Sequence, residues 1–358
     1  MNTFPAHPDA VTPEWLGARL REGGALGDGR VARVRWQPIG TGQVGDSVRF
    51  TLEYEGAAGP RTLAGKFPAA DPVSRATAAT FGLYAKEVGF YRELAPRLEV
   101  RAARTFAAEV DDSGAEFVLL FEDLAPCRQG DQLAGCTLAD ARAAIRQAAA
   151  IHAPSWNEPA IVELEWLHTG PEALAQIKAL YPQAHALFAE RYADMLEPEL
   201  MAVCHALAEA SEHWFGRESG DRCLIHGDFR LDNMLFNIRG GAEPIAVLDW
   251  QTVAVGSGLT DIGYFLGCGI GDRLRHEAEG ELIELYCAEM RGRGVPLTRD
   301  AVWDDYRLGA LHGVSTAVFS AAFVERTPRG DANFLSMARG ACALAREHRS
   351  IDLLTGKG

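Results

Sequence analysis

The run His226-Gly227-Asp228-Phe229-Arg230-Leu231-Asp232-Asn233 is followed by an apolar stretch, Val247-Leu248, that ends in Asp249-Trp250. An Asp, four intervening residues and an Asn, then a second Asp at the end of an apolar strand, bring together three side chains that phosphoryl transfer can use. That reaction asks for little covalent chemistry from a protein. It needs a carboxylate to orient the attacking hydroxyl, oxygen ligands for Mg²⁺, and cations along the phosphates. Asp228 is the expected catalytic carboxylate, and Asn233 and Asp249 are the expected Mg²⁺ ligands. Isolated Asp and Asn residues in loops commonly form turns through their own backbone. Three of them at matched positions between predicted strands point to a site instead.

The elements that must position these groups lie upstream. Thr12-Pro13-Glu14 reads as a helix start, with a capping hydroxyl, Pro at the first position and an acid in the first turn. Two alternating strands follow, one through Ala32, Val34 and Trp36, the other through Val48, Phe50, Leu52 and Tyr54. Between them sits the GxGxxG string Gly40, Gly42, Gly45. Such a string also opens dinucleotide-binding folds, but there it leads from strand into helix. Here strand alternation resumes within a few residues of Gly45, so an NAD-binding reading fails on context. A glycine-rich hairpin instead lets bare backbone close over nucleotide phosphates. A third strand, Leu63 to Phe67, carries Lys66, the expected cation for the phosphates of ATP. The segment beyond it has an apolar stripe at Phe81, Tyr84, Val88, Tyr91 and Leu94, and either Glu87 or Glu93 could pair with Lys66. Glu116 to Phe121 is nearly all apolar, as expected for a strand covered on both faces.

The catalytic-loop spacing matches that of protein kinases, with Gly227 in place of the usual Arg. With its surroundings HGDFRLDNMLF, and with AAAIHAPSW and GLTDIGYFL elsewhere, the chain resembles the aminoglycoside phosphotransferase and choline kinase superfamily of small-molecule kinases. GTGQVGDSVRF brings it nearest in motif to ecdysteroid kinase-like and acyl-CoA-dehydrogenase-linked phosphotransferases. The resemblance covers about Ile39 to Ala322. It implies an α+β, bilobal protein kinase-like fold, with a small antiparallel N-lobe sheet plus helix and a larger, mostly helical C-lobe. The implied boundaries are 1–122 for the N-lobe, 123–128 for the linker and 129–358 for the C-lobe. Where the N-lobe enters the linker, the backbone from Glu122 to Leu124 would meet the adenine edge of ATP. The resemblance favours Glu87 over Glu93 as the partner of Lys66. It also makes His226 a brace for the loop and Asp261 a structural aspartate that bonds back to it. The implied partner is a small molecule bearing a hydroxyl, lipid-like or sterol-like more than an aminosugar.

Composition sets the outer limits. A chain of 358 residues with 47 % hydrophobic and 23 % charged residues has room for two lobes and a substantial core. The net charge of −14 argues against nucleic acid or anionic membrane as partner, since their phosphates would be repelled; it would suit a cationic acceptor. No signal-like leader or run of about 18 apolar residues is evident, and the seven cysteines are scattered without a CxxC. The expected location is therefore cytoplasmic with reduced thiols. Beyond Gly135 the chain reads as helical, with segments near 137–153, 171–194, 197–215, 274–292, 299–325 and 331–349. Only twelve positions separate Asp249 from Asp261, too few for the activation loop and Ala-Pro-Glu segment of a protein kinase. The competing class is a pseudokinase that binds nucleotide or a partner without turnover. Intact Lys66, Asp228, Asn233 and Asp249 argue against it.

Overall fold

A computed structural model of the chain describes residues 4–40, 44–323 and 326–356. Gly42, expected in the phosphate-binding hairpin, lies outside them. Helix α1 (Pro13–Glu22) is capped by Thr12, whose hydroxyl accepts from the Trp15 N–H at 3.2 Å. Strands β1 (Arg30–Pro38), β2 (Gly45–Glu55) and β3 (Thr62–Pro68) follow, then helices α2 (Pro72–Thr80) and α3 (Leu83–Gly89) and strands β4 (Thr105–Val110) and β5 (Phe117–Glu122). The five strands form one antiparallel sheet in the order β1-β2-β3-β5-β4.

Both faces of this sheet are covered, which is why β5 is buried along its whole length. Val118 and Leu120 join Phe50, Leu63 and Phe67 under Leu16 and Leu20 of α1. Phe117, Leu119 and Phe121 face the other way, toward Tyr84 and Val88 of α3 and the main core. Alternation along β3 therefore decides where Lys66 goes. Leu63 and Phe67 pack toward α1, so Lys66, one residue before Phe67, points toward α3. The helix expected across Phe81 to Leu94 is broken. Gly82, at φ +65°, separates α2 from α3, and a wider turn at Phe90–Leu94 follows α3. Left-handed backbone cannot continue a helix, and glycine adopts it at little cost.

After β5 come the two-residue β6 (Arg128–Gln129) and a mostly helical region: α4 (Leu138–Ser155), the short α5 (Pro159–Val162), α6 (Pro171–Tyr192), α7 (Pro198–Glu209) and α8 (Ser211–Gly216). Strand β7 (Cys223–Ile225), β8 (Met234–Asn237), the helical turn α9 (Ile238–Gly241), β9 (Glu243–Val247) and β10 (Ala254–Gly256) form two small antiparallel sheets, β6-β8-β9 and β7-β10. Helices α10 (Leu259–Cys268), α11 (Asp272–Gly292), α12 (Arg299–Phe323), α13 (Pro328–Glu347) and α14 (Ser350–Thr355) complete the fold. Every residue of α10 is buried, so it carries no amphipathic stripe and escapes a periodicity reading. The architecture is α+β: an antiparallel N-terminal sheet with covering helices, and a larger helical part with one dominant core. All seven cysteines are free, and among the described residues no helix is long and apolar enough to cross a membrane.

Candidate active site

Two small sheets carry the loops that hold the candidate residues. β7 leads into His226 to Arg230, and β8 and β9 return the chain to Asp249. Gly227 is held at φ +80°, and a Cβ there would stand 2.5 Å from the Thr252 carbonyl oxygen. No side chain fits that space, which explains the departure from the protein-kinase pattern. The Thr252 hydroxyl donates to the His226 carbonyl (2.8 Å), and His312 Nε2 donates to the Gly227 carbonyl (2.7 Å). Burial lowers the His312 imidazole below its usual range, in keeping with a neutral ring that donates through one nitrogen.

Asp261, in the first turn of α10, fixes the loop from beneath. Its Oδ2 accepts the His226 N–H at 2.7 Å and its Oδ1 the Gly227 N–H at 3.0 Å. His152 of α4 completes the set, with Nε2 3.2 Å from Oδ2 and Nδ1 2.9 Å from the Tyr286 hydroxyl. Burial pushes the Asp261 carboxyl up, but the His152 hydrogen bond, the nearby imidazoles and the His226 N–H outweigh it and hold it below the usual carboxylate range. His226 spends both ring nitrogens on backbone: Nε2 donates to the Leu248 carbonyl (2.9 Å) and Nδ1 accepts from the Asp228 N–H (3.2 Å). With neither nitrogen left for a substrate, His226 is a brace.

Asp228 is held by three donors. The Tyr264 hydroxyl donates to Oδ1 (2.8 Å), Asn233 Nδ2 donates to Oδ2 (2.8 Å), and Arg230 Nε lies 2.9 Å from Oδ1 and 3.1 Å from Oδ2. Burial alone would raise this carboxyl. The Arg230 charge, followed by the Tyr264 and Asn233 hydrogen bonds, reverses the sign and keeps it below the usual range. Arg230 is therefore no free surface arginine, since Asp232 Oδ2 holds its Nη1 at 3.0 Å. Asn233 also donates to the Asp228 carbonyl (2.9 Å). Its amide nitrogen is committed, and its carbonyl oxygen is the atom left for a ligand. The Leu248 N–H donates to the backbone carbonyl of Asn233 (2.9 Å), which sets Asn233 beside the segment leading to Asp249 and leaves its side-chain Oδ1 unused among the described residues.

Lys66 reaches across from β3. Its Nζ is 2.7 Å from Glu87 Oε2, 2.9 Å from Glu87 Oε1 and 2.8 Å from Asp249 Oδ1. Of the two acids that could pair with it, Glu87 does so, as part of the buried Tyr84, Glu87, Val88 face of α3. Burial lowers the Lys66 ammonium, but Asp249 and Glu87 more than offset it and leave it raised and charged. Asp249 has left-handed backbone, φ +65° and ψ +66°, and Trp250 behind it stacks on Phe90 with centroids 3.8 Å apart. That stack ties the Asp249 turn to the chain just beyond Glu87. Gly45 opens β2 directly over Lys66; a Cβ there would sit 3.2 Å from Lys66 Cε and 3.1 Å from the Phe67 carbonyl. Gly40, at φ +73°, has no atom of the described residues within 4 Å of its would-be Cβ. The Tyr84 hydroxyl donates to the Val44 carbonyl (2.6 Å), anchoring the end of the glycine segment to α3.

Glu122 and Leu124 lie at the end of β5 and just after it. The Glu122 N–H is used by the Arg104 carbonyl (2.9 Å), and its carboxylate by Arg101 (2.6 Å) and Arg239. Leu124 is buried, and its carbonyl accepts the Arg239 N–H at 2.9 Å. These contacts brace the strand end, and the Glu122 side chain has no capacity left for a nucleotide.

An open cavity of about 1230 Å³ runs from the loop at Gln132–Cys136 past the end of α10 to α13. Gln132 joins it to the catalytic loop: its N–H donates to Asp232 Oδ1 (2.9 Å) and its Oε1 accepts from Arg230 Nη1 (3.5 Å). Sequence reading singled out neither Tyr264 nor Gln132. Tyr264 was accessible in principle, since it stands three residues after Asp261 and so on the same helical face; Gln132 carries no motif.

This arrangement defines the class. A lysine held by a helix glutamate, a braced HGD loop and an aspartate at a strand end, on a five-stranded sheet and a helical lobe, make a protein kinase-like small-molecule phosphotransferase fold. The fold is shared with a candidate aminoglycoside phosphotransferase of Ralstonia eutropha JMP134, at 18 % identity and a TM-score of 0.55 over 93 % of this chain and 98 % of that one. It is shared likewise with the choline kinase of Cryptosporidium parvum Iowa II, at 11 % identity and a TM-score of 0.53 over 90 % and 91 %. Residues 45–293 match the ecdysteroid kinase-like family, and the chain belongs to that family. Among curated proteins it is similar to human acyl-CoA dehydrogenase family member 11, 33 % identical over 110 residues. That match takes in 26 % of this chain and only 14 % of the relative.

Proposed function

We propose that the protein transfers the γ-phosphoryl group of ATP to a hydroxyl of a small molecule. The observation that carries this reading is Lys66, charged and held between Glu87 and Asp249, with the braced Asp228 on the neighbouring loop. A cation so placed suits the α- and β-phosphates, with Gly45 at the start of β2 directly over Lys66. Asp228 orients the acceptor hydroxyl and receives its proton late. The adenine edge would meet the backbone groups from Glu122 to Leu124 that Arg104 and Arg239 leave free, where β5 enters the linker 123–128 between lobes 1–122 and 129–358.

The donor set also fits Mg²⁺. Asp249 offers a carboxylate that is about a third exposed, and Asn233 an amide oxygen. Both are hard oxygen ligands, too few for an all-protein cage, so phosphates complete the shell. When bound, the ion neutralises charge on the phosphates. The chain's own part is to hold Asp249 on Lys66 and Asn233 on Asp228.

The cavity beside Gln132 is the acceptor pocket in this reading. Its wall includes Leu133, Met195, Ile270, Leu274 and Leu335, which suits an apolar body. Three arginines line it, Arg273, Arg326 and Arg339, against Asp272 and Asp331. The overall charge of −14 thus gives no acidic pocket, and a hydroxylated lipid-like or sterol-like acceptor fits better than a polycation. A coupled ADP-release screen over sterols, hydroxyacyl compounds, amino alcohols, choline and aminoglycosides tests the proposal. Turnover confined to apolar alcohols is the expected result. Mg²⁺-dependent ATP binding with no turnover on any acceptor or water would leave the pseudokinase reading standing.

A further inference from the structure

A carboxylate has about four lone-pair positions, and those of Asp228 are crowded. Tyr264 takes one on Oδ1 and Asn233 one on Oδ2, while Arg230 Nε straddles the two oxygens at 2.9 and 3.1 Å. Three donors leave at most one of these positions, so an arriving hydroxyl competes with whichever donor can move. Tyr264 is fully buried on α10, and Asn233 is pinned twice, to the carboxylate and to the carbonyl of the same residue. Arg230 differs from both. It is a long side chain with a second anchor already engaged, Asp232 Oδ2 at 3.0 Å from Nη1, so it can leave Asp228 without losing its charge partner.

Arg230 is one contact removed from the cavity. Gln132 lines the cavity and lies 3.5 Å from Arg230 Nη1. Gln132 is only 3 % exposed, yet its Nε2 has no hydrogen-bond partner among the described residues. A buried donor left unpaired is costly and draws in a polar group that can satisfy it. A hydroxyl entering beside Gln132 meets that donor first and the guanidinium next.

We propose that Arg230 is a latch on Asp228: its guanidinium closes the carboxylate while the cavity is empty, and the acceptor hydroxyl replaces Nε on Asp228 while Nη1 stays on Asp232. Arg230 is thus a positioning residue that discriminates against water, because a lone water lacks the binding energy of an apolar body to open the latch. The inference rests on the phosphotransferase reading above.

The test uses the full chain with MgATP and water as sole acceptor. In that reaction a water oxygen bonds to the γ-phosphorus, the bond to the β-phosphate oxygen breaks, and ADP, phosphate and a proton are released. Arg230→Met should raise ADP release about tenfold, since a charge-assisted contact no longer has to be broken. Adding Asp228→Asn should return the rate to that of Asp228→Asn alone, which a loosened structure would not do. Arg230→Lys, which keeps a charge between the two carboxylates, should fall between wild type and Arg230→Met, and serves as the test if Arg230→Met does not fold. Equal or slower release from both Arg230 variants, with thermal stabilisation by MgATP intact, overturns the latch and leaves the phosphotransferase reading in place. No stabilisation of the wild type by MgATP overturns both.

Discussion

Replacing Asp261 with Asn probes the link between scaffold and site, because it changes one charge and almost no volume. The wild-type carboxylate accepts from the His226 N–H at 2.7 Å, the Gly227 N–H at 3.0 Å and His152 at 3.2 Å, and is fully buried. A carboxamide offers one acceptor oxygen. Its NH₂ group must then face a backbone N–H, leaving at least one buried donor unpaired. Losing a charge-assisted bond costs about 1.5–3 kcal/mol, and an orphaned donor about 1–3 kcal/mol more. The expected destabilisation is about 3–5 kcal/mol. Unfolding entropy of about 2.1 cal/mol/K per residue, over 358 residues, makes this a drop of about 4–7 °C in Tm. The sign with pH follows from the depressed carboxyl. The contribution is present above the unfolded value near about 3.9 and is lost as pH falls through the lower folded value. Differential scanning fluorimetry should therefore find a constant gap between wild type and variant from pH 6 to pH 8, closing in acid. ADP release should fall as well, since the loop that carries Asp228 hangs from these bonds. A Tm within about 1 °C of wild type at neutral pH would refute the tether.

Further outcomes follow from the same geometry. Asp228→Asn should leave MgATP binding in place and lower Tm by a few degrees, since its carboxamide cannot accept from Tyr264, Asn233 and Arg230 together, while turnover on the true acceptor falls by about 10² or more; unchanged turnover removes Asp228 from the mechanism. Lys66→Ala and Glu87→Ala share one buried ion pair, so a double-mutant cycle on MgATP stabilisation should be strongly non-additive, and additivity would contradict the pairing as a functional unit. ATP should raise Tm only with Mg²⁺ present, and Asp249→Asn should abolish that dependence; equal stabilisation of the wild type in EDTA counts against a phosphoryl-transfer centre. Gly227→Ala should lower both Tm and turnover, because a Cβ would stand 2.5 Å from the Thr252 carbonyl at φ +80°; a fully active, stable variant would show that the loop relaxes around it.

The fold was legible where one face of an element meets water. Thr12 caps α1 as its hydroxyl and the following Pro imply, and β1 and β2 pair as the alternation requires. It was not legible where burial is complete or a single glycine intervenes. Helix α10 has no polar face to set a period, and Gly82 interrupts what side-chain spacing alone presents as one helix. Asp261 was legible only through the resemblance: its bonds to the His226 and Gly227 N–H groups match the structural aspartate that the resemblance implies, while no periodicity marks the helix that carries it.

The site divides along a similar line. Residues tied to a local motif are visible in sequence because the proposed transfer needs them at fixed spacing: Asp228, Asn233 and Asp249 on adjoining loops, Lys66 on a strand whose alternation aims it at α3. Residues that tune those groups come from far along the chain and are chosen by three-dimensional contact. Tyr264 reaches Asp228 only because α10 is pinned beneath the loop through Asp261, and Gln132 reaches Arg230 from before α4. Arg230 falls between the two groups. It lies inside the motif, so its position is visible, yet its role depends on Asp232 and on a cavity formed by later helices. On the proposed reading, the motif supplies the atoms for the transfer, and the contacts around it set when Asp228 is free to meet a hydroxyl.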